Sequence, residues 1–504
     1  MSDSQYLPQQ LEVLKDNVEH IVVLMLENRS FDNLLGWLYE NGAPNNQEFE
    51  GLNYKMWNPL DNIDSNGNPF TEQVFVRKNG EDYKLGEKTV TCDTPDFTLP
   101  NPDPGEGFAD TTHQLYGTYK VDADYPPLAS NQGFVNNYKN AQLYGSYTYQ
   151  DGVCDPREIM TCYQPTQVPV LSTLAQEYAV CDHWHCSVPS QTLTNRDFFH
   201  AAQSNGQVNN SPNADCDAKT IFNQIQDAIT NDNRTDLSWK VYSGTQDGKP
   251  FSLTRTIMTQ LHDSSLDGNF ESIEQFYTDA KAGNLPSYCF LEPQLHDDGT
   301  AVQNDMHPPS DIRTGEKLIA DVYNAVIASK KWENTLLVIT YDEHGGCFDH
   351  VPPPNYCKPP LVNAPAGQNG FKFNRLGLRV PTLLISPLIA KNTIARPAGW
   401  NPYEHTSIIR TIQECFGLKG HLTQRDANAV DVSGVLTLKT PRTDAQPITA
   451  PAAGKHVPSE VNDLHRIMAE TLAKYTGKPM PSDDVLIKEM GAMYRAHFSG
   501  KASK

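Results

Sequence analysis

The apolar and polar positions of this chain fall into sharply bounded blocks. Ile21 to Leu26 are consecutive apolar residues, rich in β-branched side chains, and they stop at Glu27 and Asn28. A short run without alternation predicts a strand buried on both faces. Thr335–Thr340 (TLLVIT) is a second such run, closed by Tyr341-Asp342-Glu343-His344-Gly345-Gly346. Ser287–Leu291 (SYCFL), ending at Glu292-Pro293, and Val380–Ile385 (VPTLLI) read the same way. Elsewhere the period becomes that of a helix. Leu318, Ile319, Val322, Tyr323, Val326 and Ile327 form one stripe within Gly315–Trp332, and His405–Phe416 is a further helix before Gly417. Val168–Val180 predicts a helix (LSTLAQEYA) entering a short strand, and Asn195–Gln203 a helix stopped by Gly206. Apolar strands alternating with amphipathic helices predict an α/β fold, with a mainly parallel sheet covered by helices on both faces.

Between these blocks the chain changes character. Asn41 to Pro104 is rich in Asn, Gly, Pro and Asp, and NPLDNIDSNGNPF and LPNPDPGEG are dense in turn signals. With hairpin-like alternation at Gln73–Val76, this predicts an insertion over about 41–105 along one edge of the core. Asp110–Gln150 is polar and aromatic, with His113 inside DTTHQ, and Ser211–Ala282 is mixed and partly helical. Ala445–Pro458 shifts to Pro, Ala and Gly, which reads as a linker or an extended wrap. Helices are expected over about Ser459–Tyr475 and Asp483–Phe498. The expected organisation is one domain over 1–444, followed by a linker and helical C-terminal extension over 445–504.

Charge narrows the partners. The 504 residues carry a formal net charge of -21. That argues against nucleic acid, which selects basic surfaces, and against simple electrostatic docking on anionic lipid. Membrane contact is expected to be peripheral at most. No apolar stretch approaches bilayer length, and Met1 to Glu19 is polar, with no signal peptide visible. The expected location is cytoplasmic, or outside the cell by a signal-independent route. Ten cysteines with no CxxC motif are too dilute for a disulfide scaffold. Most are expected as free thiols in a reducing compartment, with Cys154/Cys162 and Cys181/Cys186 close enough in sequence to pair.

The chemistry lies where strands end. In open α/β sheets, ligands bind beyond the carboxyl ends of the strands. Two separate runs deliver Glu27-Asn28 and Asp342-Glu343 there. Carboxylates gathered in one place are costly to desolvate unless a cation joins them. The donor set of Glu27, Asn28, Asp342 and Glu343 therefore predicts one divalent metal ion, with Ca, Mg, Mn and Zn all open. Thr192 falls on a turn at or just before a helix start, which favours a bound phosphate. A metal would lower the pKa of its hydroxyl and make it a nucleophile. Ser190, two residues earlier, is the rival hydroxyl.

These residues carry a resemblance. HIVVLMLENRSFDNLLGW, SVPSQTLTNRDFFHAAQSNG, NDMHPPSD and TYDEHGGCFDHVPPP are similar to the phosphoesterase family of bacteria and plants. That family holds phosphatidylcholine-type and non-specific phospholipases C and related bacterial acid phosphatases, within the alkaline phosphatase-like superfamily. The resemblance runs from about residue 18 to about 430, with weak stretches at 40–105 and 205–285. It implies an alkaline phosphatase-like fold and a phosphothreonine intermediate on Thr192, itself also a metal ligand. It implies Glu27 as a metal ligand and Asn28 as a ligand or phosphate contact, with Asp342 and Glu343 completing the site. Asn195 would support the phosphoryl oxygens, with Thr194 standing where Pro is usual. His113 would contact the phosphate or leaving group, and His307 would be the general acid for the leaving oxygen. His344, His350 and His405 are read as supporting groups, His183 and His185 as packing residues, and His262 and His296 receive no role. Much of the superfamily has Asp-His where this chain has Asp342-Glu343, which points to one metal rather than two. Cys186 to Ser190 lacks the Arg spacing of the sulfatase formylglycine pattern. The implied substrate is a phospholipid or a small phosphate ester. A phospholipase C leads, with an acid phosphatase on phosphomonoesters and a non-catalytic binding protein as alternatives.

Overall fold

A computed structural model describes residues 7–61, 72–85, 88–92, 94–122, 126–144, 155–211, 215–299, 301–362, 366–397, 399, 401–452 and 461–499. At its centre is an eight-stranded sheet. Its strands are β1 (His20–Leu26), β2 (Ala179–Val180), β3 (Trp239–Ser243), β4 (Phe270–Ser272), β5 (Tyr288–Leu291), β6 (Thr335–Tyr341), β7 (Leu383–Ile385) and β8 (Thr393–Ile394). They lie in the order β4-β3-β5-β1-β6-β7-β2-β8. All seven residues of β1 and of β6 are buried, so these strands are covered on both faces. That is why they read as unbroken apolar runs. β1 is parallel to β5 and to β6, and its register with β6 runs from His20 opposite Thr335 to Leu26 opposite Tyr341.

β7 runs antiparallel to both of its neighbours, while the other pairs in the sheet are parallel. It is also shorter than Val380–Ile385. Val380 gives its N–H to Trp184 outside the sheet, and Pro381 has no N–H for the ladder.

Two sets of helices pack around the sheet. Pro169–Glu177 and Ile273–Ala282 both touch Ile312–Ala328, and Thr192–Ala201 lies against Ile221–Asn231 and Thr406–Phe416. The helix beginning at Ile312 starts three residues before the expected Gly315 because Asp311 caps it, accepting from the Arg313 N–H. The insertion forms small hairpins, Trp57–Pro59 with Gln73–Phe75 and Tyr83–Leu85 with Lys88–Val90. Most of NPLDNIDSNGNPF lies outside the described residues.

After Leu438 the chain runs without regular structure to residue 452, and the Asn324 amide bonds both the N–H and the carbonyl of Ile448 at 2.9 Å. The helices Asp463–Thr476 and Asp483–Ser499 place Leu464, Met468, Leu472, Leu486 and Met490 in the same apolar core as β1 and β6. The nine described cysteines are free thiols, so Cys181 and Cys186 are unpaired; Cys154 lies outside the described residues. Among the described residues no helix is long and apolar enough to cross a membrane.

Candidate active site

The register of β1 and β6 sets Glu27 beside Asp342, because Leu26 and Tyr341 are paired immediately before them. At Asn28 the backbone turns into the left-handed region (φ 52°), which Asn tolerates better than most residues. The N–H groups of Asn28 and Glu343 then converge on Asp342 Oδ1 at 2.9 and 2.8 Å. The glycine pair of DEHGG makes this approach possible. Gly345 has φ 62°, and a Cβ there would lie 2.1 Å from the Asn28 carbonyl oxygen.

Thr192 is the first residue of the helix Thr192–Ala201, with Gln191 before it. Its Oγ1 lies 3.3 Å from Asn28 Oδ1 and 3.4 Å from Glu27 Oε2. The helix begins three residues before Asn195, and Asn195 is the reason. Its Nδ2 donates to the carbonyls of Val188, Ser190 and Gln191, and its Oδ1 accepts from the Val188 N–H. The Asn195 amide is thus committed to clamping the turn that presents Thr192, rather than to phosphoryl oxygens. The Ser190 hydroxyl points to Asn209 Oδ1 at 3.4 Å.

Arg196, one turn beyond Thr192, was not singled out in the sequence. It is fully buried and donates to Glu27 Oε1 through Nε at 3.1 Å and through Nη2. The i,i+4 spacing from Thr192 within TLTNR was the available signal.

A second group of side chains meets the first across Asn28. Asp103, Glu106 and His307 bring ligand atoms within 4.8 Å of one another. Asn28 Nδ2 donates to Glu106 Oε2 at 2.5 Å and lies 3.0 Å from His307 Nε2. Asp463, the first residue of the helix Asp463–Thr476, has Oδ1 3.7 Å from His307 Nε2 and accepts from Gln191 Nε2 at 2.9 Å. The His307 Nδ1 bonds the Pro308 carbonyl at 2.7 Å and lies 3.7 Å from Asp103. Asp103 and Glu106 sit in a turn-rich stretch, and Asp463 in the distant extension, so no local pattern marked them.

The pocket is strongly acidic. Burial, reinforced by Asp342, pushes the Glu27 carboxyl well above its usual range against the pull of Arg196. Burial and then Asp342 do the same to Glu343, and burial and then Asp463 to Glu106. Asp342 Oδ2, Glu343 Oε1, Glu106 Oε1, Asp103 Oδ1 and Asp463 Oδ1 are buried without a hydrogen-bond partner among the described residues. Unpartnered carboxylate oxygens at this density are costly, and hard oxygen donors fit a divalent cation.

Burial raises Asp103 and Asp305 to about 7, above the unfolded value near 3.9. Burial disfavours charge on His307, but Asp103 and Asp463 outweigh it and raise that group well above its ordinary value. A raised carboxyl and a raised histidine both favour the folded state when protonated, so stability is lost as pH rises through these pKa values. Metal-free protein should melt lower at pH 8 than at pH 5, and a divalent cation should oppose the loss by binding the ionised carboxylates. A chelated protein that melts higher at pH 8 would contradict this.

The other histidines take varied places. His405 Nε2 bonds the Asp342 carbonyl at 2.5 Å, His344 Nε2 bonds Gln114 Oε1 at 2.7 Å, and His350 Nδ1 pairs with Asp32 at 2.6 Å. His113 is buried in the helix Phe108–Tyr116, its ring 4.4 Å from that of Tyr119. His185 Nδ1 bonds the Gly377 carbonyl at 3.0 Å, with its ring 6.5 Å from His183. His262 packs on the rings of Tyr475, His497 and Phe498, and His296 on Phe251.

A hydroxyl at a helix start, opposite so many buried acids, suits attack on a phosphorus ester, and the chain is a phosphoric ester hydrolase. The phosphoesterase family profile matches residues 18–419, and the chain belongs to that family. Non-specific phospholipase C3 of Arabidopsis thaliana is 34% identical over 444 residues, covering 86% of this chain and 76% of its own length. Phospholipase C A of Mycobacterium tuberculosis is 26% identical over 464 residues, covering 86% and 79%. Among solved structures, the lipoteichoic acid synthase LtaP of Listeria monocytogenes overlaps 66% of this chain and 86% of its own, at 10% identity and a TM-score of 0.27.

Proposed function

We propose that this hydrolase is a metal-dependent phospholipase C working through a phosphothreonine on Thr192. The observation that carries the reading is the meeting of Thr192 Oγ1 with Glu27 and Asn28 at 3.4 and 3.3 Å. The two relatives named as phospholipases C support the substrate class. Glu27, Asn28, Thr192, Asp342 and Glu343 would hold the metal, with Asp103, Glu106 and His307 adjoining. When bound, a divalent cation offsets charge on the phosphoryl oxygens and makes the threonine hydroxyl more acidic.

The chain's own residues supply the rest. Asn195 fixes the turn so that Thr192 Oγ1 faces the phosphorus. As Oγ1 attacks, its proton passes to water and the bond from phosphorus to the diacylglycerol oxygen breaks. His307, held protonated by Asp103 and Asp463, gives that oxygen its proton from Nε2. The head group stays on Thr192 as a phosphodiester. Water then attacks the phosphorus and gives a proton to His307, while the Oγ1–phosphorus bond breaks and Thr192 regains its proton from water. Arg196 keeps Glu27 oriented throughout.

The test compares phosphatidylcholine with p-nitrophenyl phosphate, each with and without a chelator. Diacylglycerol and phosphocholine should be the favoured products, with a loss of about 100-fold or more on chelation. Faster cleavage of the monoester would replace this reading with the acid phosphatase one. No hydrolysis of either substrate by metal-loaded protein would leave a binding protein.

A further inference from the structure

We propose that Arg375 and Tyr116 form a second ligand site, which binds an oxyanion such as a phosphate or carboxylate group. Arg375 is 3% exposed, and its Nε and Nη1 have no hydrogen-bond partner among the described residues. The Tyr116 hydroxyl is likewise buried without a partner, and it lies close enough to Arg375 for their charges to interact.

Three other buried arginines are held by carboxylates, and a fourth, Arg29, which has no ion pair among the described residues, donates to the Met306 and Leu99 carbonyls instead. Arg196 pairs with Glu27, Arg379 with Asp32 and Asp349, and Arg425 with Glu404. No such ion pair forms at Arg375 among the described residues, in a chain where acids outnumber Lys and Arg by 61 to 40. A buried guanidinium without a counter-charge is costly, and proteins retain one where something anionic is to be bound. Burial also lowers its pKa, as expected of an uncompensated cation.

The surroundings suit an anion. The guanidinium carbon lies 4.8 Å from the Phe371 ring and 5.6 Å from the Phe108 ring. These apolar walls lower the local dielectric and strengthen any ionic contact made at the free edge. The Arg fork matches two oxygens of an oxyanion, and Tyr116 adds a third donor. The place is set by the helix Phe108–Tyr116. Its first residue follows Glu106-Gly107, and the Phe108 N–H bonds Asn209 Oδ1 at 2.9 Å, the same atom that receives the Ser190 hydroxyl. Phe108 thus joins the surroundings of Arg375 to the loop that carries Ser190.

The site needs neither the metal nor Thr192, so chelated protein tests it apart from the proposed catalysis. Inorganic phosphate should raise the melting temperature of chelated wild type in a saturable way. Arg375→Gln should weaken phosphate binding by about 10-fold or more, and Tyr116→Phe by a few-fold. In anion-free buffer, Arg375→Gln should melt no lower than wild type, whereas a purely structural stacking role would lower it. If Arg375→Gln does not fold, Tyr116→Phe still reads the site. Cosedimentation with phosphatidylcholine vesicles, with and without phosphatidic acid, separates the sources. Loss of binding by Arg375→Gln on the anionic vesicles alone assigns a lipid head group, and loss of phosphate binding alone a free anion. No effect of phosphate on chelated wild type, or equal stabilisation of wild type and both variants, overturns the proposal.

Discussion

Thr192→Ala is expected to abolish turnover while leaving the fold in place. The loss should be on the order of 10⁴- to 10⁶-fold in kcat, the scale seen when a covalent nucleophile is removed from an otherwise intact site. The fold should survive because Thr192 is not the cap of its helix; Gln191 holds that position and Asn195 clamps the turn. The hydroxyl's own contacts, at 3.3 and 3.4 Å, are long, and losing them costs about 1 kcal/mol or less. Melting temperature and kcat on both substrates check the two halves. Acid quenching with a ³²P-labelled substrate should trap label on wild type and not on the variant. Activity that survives in Thr192→Ala and falls in Ser190→Ala would move the nucleophile to Ser190.

Arg196→Met is expected to produce the largest loss of stability. Arg196 and Glu27 are both fully buried and bonded to each other. Removing one member of such a pair strands the other charge, at a cost of about 3–5 kcal/mol. Glu27 can escape part of that cost by taking up a proton, so the loss should be smaller at pH 5 than at pH 8. The double variant Glu27→Gln/Arg196→Met should be more stable than Arg196→Met alone, because Glu27 is no longer left charged, although Glu292, 3.8 Å from Arg196 Nη1, still loses its partner. Urea unfolding of chelated protein measures all three species. A cost below about 0.5 kcal/mol for Arg196→Met, the level of an ordinary surface change, would mean that the pair does not hold Glu27 in place.

Much of the site was legible because its strands are. An apolar run that ends in oxygen-bearing polar residues marks both a buried strand and what lies at its end, and Glu27-Asn28 and Asp342-Glu343 stand at such ends. The start of the nucleophile helix was placed too late. Apolar spacing begins near Phe198, whereas the helix is initiated by a turn clamped by four hydrogen bonds of the Asn195 side chain. The same amide looked available for substrate because its spacing from Thr192 does not reveal where its hydrogen bonds go.

The sequence alone determined the buried strands, the alternation with helices, and two polar pairs at strand ends, since local burial patterns write themselves into residue type. Only the tertiary structure decided that β7 runs antiparallel, because an apolar run has no direction. It alone brought Asp103 and Glu106 from a turn-rich stretch at the end of the insertion, and Asp463 from a C-terminal helix, to His307. Turn residues and exposed helix starts have the same composition whether they face water or a pocket. What distinguishes them is which side chains the folded backbone sets opposite, a long-range property that no local window contains. The first strand shows the division: its burial was written in Ile21 to Leu26, but the acid beside Glu27 was fixed by pairing with a strand three hundred residues away.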